Sequence, residues 1–348
     1  LFRLNNLFDE SVGSHVGRDT IGLQLQDSVV SVDREVIAGT PMKKDLHLGQ
    51  LGLGTGYSNF PGYEQPLPPL LWTMKNQSLI PSLSYGYTAG ASYKFEGLPG
   101  SLTLGGYDKS RFDPSNVNFT FSADTTRNLT VGVQSITANN TLNHGILQQD
   151  VVSFTSGGHL SLVDSTVPHI WLPIDVCNRI QQAFGLNYDN RSALYTVNNT
   201  VHKQLVQLNA ALTFRLGNNI SNGDSIDIVL PYRAFDLVSS AGYLYTNATY
   251  YFPIRRAASD SQYRIGRTFL QEAYLIVDYE RSTFSVNQAT MSSPLPQQQI
   301  VLITPVPTSQ NQPSSLSTGG IVGIVIGAIL AIALISTALL FYIRRKRR

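Results

Sequence analysis

From residue 1 to about 291 the chain alternates apolar and polar residues in short runs, as in Ser101-Leu102-Thr103-Leu104, Asn118-Phe119-Thr120-Phe121 and Ile226-Asp227-Ile228-Val229-Leu230. A period of two, broken often by Gly, Asn and Pro, predicts many short strands and an all-β class. Helical spacing occurs in two places. Between Pro173 and Phe184 the apolar residues Ile174, Cys177, Ile180 and Phe184 fall near one face, and a shorter stretch runs from Arg267 to Tyr274. After Asn287 the pattern dissolves into Ser292-Ser293-Pro294-Leu295-Pro296, a Gln run at 297–299 and Pro/Ser/Thr/Gln-rich sequence to Thr318. Too little apolar surface is available there to fold, so an extended stalk over 292–318 is expected.

Gly320 to Ile343 is an uncharged, almost wholly apolar run of 24 residues. As a helix rising about 1.5 Å per residue it spans a hydrocarbon core roughly 30 Å thick. The segment 319–343 is therefore read as a transmembrane helix, and Arg344-Arg345-Lys346-Arg347-Arg348 as its cytoplasmic tail, residues 344–348. Positive charge on the cytoplasmic side places the large N-terminal part outside, as a type I, single-pass protein of the cell surface or secretory pathway. A lipid-anchor signal would end in its hydrophobic tail, which the basic terminus argues against. Gly319, Gly323 and Gly327 recur every four residues and would let two such helices approach as a weak homodimer.

Composition refines this picture. With 348 residues, 42% apolar and 14% charged, the chain has ample material for one large two-lobed β domain or two ordinary ones. The net charge of +2 comes from the tail, and no basic patch upstream suggests nucleic-acid binding. The chain opens Leu1-Phe2-Arg3, with neither an initiator Met nor a leader, so a fragment lacking its front end is expected. Asn76, Asn118, Asn128, Asn139, Asn190, Asn198, Asn219 and Asn247 each begin an Asn-x-Ser/Thr sequon, which suits a glycosylated exterior. Cys177 is the only cysteine. It excludes an internal disulfide and leaves two readings, a small buried hydrophobe or a thiol whose partner lies upstream.

The candidate chemistry centres on Leu162-Val163-Asp164-Ser165-Thr166, an apolar pair, a carboxylate and two hydroxyls. Alone the motif is weak. In chain order it is joined by Gln50-Leu51-Gly52-Leu53-Gly54, Gly100-Ser101-Leu102-Thr103-Leu104-Gly105-Gly106-Tyr107-Asp108, Ile170-Trp171-Leu172-Pro173, and Arg264-Ile265-Gly266-Arg267-Thr268-Phe269-Leu270 followed by Ala273 to Tyr279. Together these resemble a pepsin-like aspartic protease over residues 5–291, most like the fungal membrane-anchored or cell-surface branch.

The resemblance implies two related β lobes around a cleft, an incomplete first lobe at 1–125 and a second at 126–291. It also implies peptide-bond hydrolysis at acid pH by two carboxylates about 3 Å apart sharing one proton, with no metal or other cofactor. Asp164 would be one member of that dyad and Ser165 a brace between the two active-site loops. Residues 1–130 contain no Asp-Thr/Ser-Gly to supply the other. Leu7 to Thr20 falls where the family places its flap, with Gly13 and Gly17 in the turn and Leu7 or Phe8 in the covering position. Thr166 and Val167 stand where the family has Gly and a hydroxyl residue. A Cβ at 166 is expected to strain the turn, and Val167 to withdraw a hydrogen bond from Asp164. Two functions follow: an acid endopeptidase, or a silent relative that uses the interlobe cleft to hold a peptide, protein or cell-wall ligand. His pairing for a metal site, a nucleotide fingerprint and a Gly-x-Ser-x-Gly elbow are all missing.

Overall fold

The strand Ala211–Gly217 shows why the chain folds as it does. Leu212, Phe214 and Leu216 are fully buried while Thr213 and Arg215 between them are not. It pairs antiparallel with Ser225–Pro231, setting Phe214 opposite Ile228 and Leu212 opposite Leu230 on the core side. On the other face the exposed Arg215 and Asp227 meet through two 2.8 Å hydrogen bonds. This computed structural model describes residues 2–3, 11–12, 15–25, 28–39, 49–60, 62–142, 151–240 and 245–307. Leu7, Phe8, Gly13 and the run 319–343 with Gly319, Gly323 and Gly327 lie outside them. Among the described residues no helix is long and apolar enough to cross a membrane. The chain divides into one unit from Leu1 to Pro305 and a second from Val306 onward.

Ala211–Gly217 continues into an eight-stranded sheet through Thr130–Asn139, His159–Val163, Arg264–Ile265, Ile170–Leu172 and Ile254–Arg256. Its centre is unusual for a sheet of hairpins. His159–Val163 runs parallel to Arg264–Ile265, pairing Leu162 with Arg264 and Val163 with Ile265. Parallel pairing needs a long crossover, here the hundred residues that form the rest of this lobe. The helix Ile174–Phe184 buries Val176, Cys177, Ile180, Ala183 and Phe184 against the sheet and stops at Gly185, whose φ of 62° is the left-handed turn glycine accepts freely. Ile174, expected on the buried face, is exposed. A second helix, Asn199–Leu208, was not visible in the apolar spacing because it buries only Leu205. Asn198 caps it by accepting the Val201 N–H at 2.9 Å.

A six-stranded sheet joins strands from residues 84–120 to strands from residues 273–289. Ser84–Thr88 and Ser101–Leu104 lie on one side of Ala273–Asp278, and Thr283–Ala289, Phe112–Asp113 and Phe119–Thr120 on the other. Stacked pairs Phe119–Phe284 and Phe112–Tyr274, with centroids 5.1 and 4.9 Å apart, fill the contact between early and late strands. The lobe boundary expected near residue 125 is thus crossed by a shared sheet.

Three expectations change. Gln50 to Gly54 is not a strand: Gly52 and Gly54 are exposed with nothing within 4 Å of a Cβ, and only Leu53 packs on the core. Gly17 is not in a turn but inside the long strand His15–Leu25, opposite Ile37 of Ser28–Gly39. The stalk does not begin at 292, because Ile300–Leu302 is a strand antiparallel to Gly106–Asp108. Asp108 fixes it. That buried carboxylate accepts the Gln299 N–H at 2.9 Å along with the N–H and hydroxyl of Ser110. Gly106 leaves room for the carbonyl of Val301, which a Cβ would strike.

Candidate active site

Asp164 is the first residue past the buried end of His159–Val163, and its N–H donates to the carbonyl of Ile265 at 3.0 Å. The carboxylate turns back on its own loop: Oδ1 accepts the Thr166 N–H at 3.0 Å and the Thr166 hydroxyl at 2.6 Å. Thr166 is therefore no source of strain. It is not among the residues with positive φ, and it supplies the hydroxyl that Val167, buried in the core, does not. The Ser165 hydroxyl, expected as a brace, is exposed and makes no hydrogen bond among the described residues.

The other oxygen, Oδ2, faces the Nε of Arg264 at 3.3 Å, with only 6% of the arginine and 10% of the aspartate side chain exposed. Alignment is poor for a hydrogen bond, so Nε and Nη1 of Arg264 stay buried without an acceptor. Burial pushes this guanidinium below its ordinary pKa, while Asp164 pulls it back up and Arg127 pushes it further down. Among the described residues no second carboxylate faces Asp164. The partner it has is a cation.

The loop after Asp164 is bonded almost residue by residue to the turn at Gly266. Arg267 Nη1 donates to the carbonyls of Ser165 and Thr166 at 2.8 and 3.1 Å, and its N–H donates to that of Val167 at 2.8 Å. Thr268 donates both its N–H and its hydroxyl to Pro168. The approach requires glycine at 266, where a Cβ would collide with the carbonyls of Val167 and His169. His169 completes the cluster. Its Nδ1 accepts from Arg255 Nε at 3.3 Å, and burial, with Arg255 and Arg267 beside it, pushes its pKa down to about 3, leaving the ring neutral.

The sequence marks Arg264 and Arg267 only as part of the Arg264 to Leu270 segment that carries the family resemblance, and nothing in it singles out either guanidinium as a partner of the Asp164 loop. Cys177 is a fully buried thiol whose pKa burial pushes up to about 12, with the Leu172 and Arg255 carbonyls within 3.8 Å. Of the sequon asparagines, Asn76, Asn118, Asn139, Asn190, Asn198, Asn219 and Asn247 are exposed and Asn128 is half-buried. Among the described residues no three His, Cys, Asp or Glu side chains gather as metal ligands.

A family description, Eukaryotic aspartyl protease, matches residues 16–289. The chain belongs to that family. A solved structure, the aspartic proteinase from Irpex lacteus, superposes with a TM-score of 0.54 at 15% identity, covering 80% of this chain and 84% of that one. This likeness concerns the fold. No curated protein sequence matches the chain. As a eukaryotic aspartyl protease relative, the chain has a mostly β, two-lobed pepsin-like fold, with Asp164 at the end of a central strand of its second lobe.

Proposed function

We propose that this family member holds peptide or protein segments in its cleft without hydrolysing them, as the exterior part of a membrane-anchored glycoprotein. The observation that carries the reading is Arg264 Nε lying 3.3 Å from Asp164 Oδ2, both side chains nearly buried. Family chemistry needs a carboxyl group that shares a proton with a second carboxylate and polarises water between them. With Oδ1 taken by Thr166 and Oδ2 facing a guanidinium, both oxygens of Asp164 are engaged by groups other than a second carboxylate. The membrane anchor rests on the apolar run from Gly320 to Ile343 with its basic tail, and glycosylation on the exposed sequons.

Incubating the full chain near pH 4 with a broad fluorogenic peptide set tests this, with mass-spectrometric readout of products. No turnover is expected. The competing reading, an acid endopeptidase, is favoured by the position of Asp164 at the strand end, and it predicts pepstatin-sensitive cleavage that Asp164→Asn abolishes. Seeing that cleavage would overturn the binding reading.

A further inference from the structure

Gly106–Asp108 and Ile300–Leu302 form a two-stranded ribbon that crosses the face of the six-stranded sheet turned away from the core. Gly86 marks the crossing, since a Cβ there would strike Tyr107 and the Tyr274 hydroxyl. Beside it, ribbon and sheet border an open cavity of about 500 Å³, within the range of small-molecule sites. Opposed residues in a sheet project to one side, so Ile276 with Ser285 and Asp278 with Thr283 form its floor, while Leu275, Val277 and Val286 point into the core. Tyr107, Val301 and Ile303 line it from the ribbon side. Val301 and Ile303 are half-buried, whereas Ile300 and Leu302 are 48% and 62% exposed. Alternation along 300–303 thus turns two apolar residues toward the cavity.

The lining also includes Asn118, the acceptor residue of the sequon Asn118-Phe119-Thr120, and none of the other seven sequon asparagines. Asn218 holds this segment by its backbone: Nδ2 donates to the Asn118 carbonyl at 2.7 Å, and Oδ1 accepts the Thr120 N–H at 3.1 Å. The exposed amide of the Asn118 side chain makes no hydrogen bond among the described residues. The floor suits a neutral ligand rich in hydroxyls. Thr283 makes no side-chain hydrogen bond there, and Ser285 only accepts one, from Asn287 Nδ2 at 3.0 Å, so both hydroxyls have capacity left. Asp278 is paired with Arg281 at 2.8 Å, and Lys109 is exposed to water. Half-buried Tyr107 and Ile276 offer apolar surface to the C–H face of a sugar ring.

We propose that this cavity seats the first sugars of an N-linked glycan on Asn118, and that the glycan, packed between the sheet and Ile300–Leu302, holds that strand in place. A sugar joined to Asn118 Nδ2 starts at the cavity's own lining. The covalent link supplies a high effective concentration, so weak contacts suffice to seat it. This rests on the reading of the exposed sequons as glycosylated. It adds where one glycan lies and which element it stabilises.

The test is the full chain made in a glycosylating eukaryotic host and treated, while folded, with an endoglycosidase that cuts between the first two sugars, with release read site by site by mass spectrometry. The glycan on Asn118 should be cut about tenfold or more slowly than that on Asn247, because it must first leave the cavity, and equally fast once the protein is unfolded. Asp108→Ala, which withdraws the acceptor for Gln299, should remove most of that protection. Thr120→Ala deletes the sequon and keeps Asn118; it should speed proteolysis within 297–304 in this host and change nothing in a non-glycosylating one. Should Asp108→Ala fail to fold, the Thr120→Ala comparison carries the same question. Equal release from Asn118 and Asn247 in the folded protein, or proteolysis indifferent to Thr120→Ala, overturns the seating and leaves the glycosylated reading standing. An Asn118 that bears no glycan overturns both at this site.

Discussion

At the scale of single residues, the pair Asp164 and Arg264 decides what the half-site can do. Removing one member of a nearly buried ion pair strands the other. Arg264→Met alone should therefore cost about 3 kcal/mol, as should Asp164→Ala, while the double variant recovers much of the loss. Urea unfolding of the four proteins measures the coupling; strict additivity would show that the 3.3 Å contact contributes nothing. Asp164 was legible because a carboxylate after an apolar pair is a local pattern. Arg264 was not, because alternation marks residue 264 as part of a strand without showing which side chain lies across from it. Only the parallel register, Leu162 against Arg264, brings the guanidinium to Asp164. Thr166 illustrates the same limit: a residue expected to strain the turn instead supplies its hydroxyl, since backbone φ is not readable from residue type alone.

Single elements carry two further expectations. Asn198 is both a sequon residue and the cap of Asn199–Leu208, and the two roles use different atoms of one amide: Oδ1 accepts from Val201, while a glycan attaches through nitrogen. Asn198→Ala should cost about 1 kcal/mol even in unglycosylated protein, and Asn198→Asp should keep the cap while removing the sequon. Thermal melts of both variants from a non-glycosylating host check this; equal losses would mean the cap does not matter. The second element is Ile300–Leu302. Asp108→Ala removes the acceptor that holds Gln299, so limited proteolysis should cut within 297–304 many times faster than in the parent chain. An unchanged cleavage rate would show that the strand holds without Asp108. Composition hid this strand because three apolar residues inside Pro- and Gln-rich sequence look like linker. What makes them a strand is a partner at Gly106–Asp108, far away in the chain.

On the scale of the whole molecule, two histidines set how the fold responds to acid. Burial pushes His159 down to about 4 and His169 down to about 3, the latter helped by Arg255 and Arg267; Asp175 partly opposes the shift at His159. The unfolded chain takes up these protons near pH 6.5, before the folded one does. Stability should thus fall as pH drops from about 6.5 toward 4, by up to about 1.4 kcal/mol per pH unit for each ring. Replacing both residues with Gln should flatten the melting temperature over that range, and a slope that persists unaltered would assign it to other groups. The two-lobed β class was readable from alternation and turn residues. The sheet that unites the lobes was not, since periodicity locates strands and leaves their partners open.

That shared sheet also bears on synthesis. Thr88 donates its hydroxyl to the carbonyl of Leu270, 182 positions later, and Ser84–Thr88 has its central neighbour only once Ala273–Asp278 exists. A ribosome making this chain exposes an unpaired edge strand for most of translation, at about 5–20 residues per second for many seconds. The early half must be kept from pairing elsewhere until the late half arrives. The nascent chain is thus most exposed to misassembly before its last strands emerge, and a chaperone that shields strands would act in that interval.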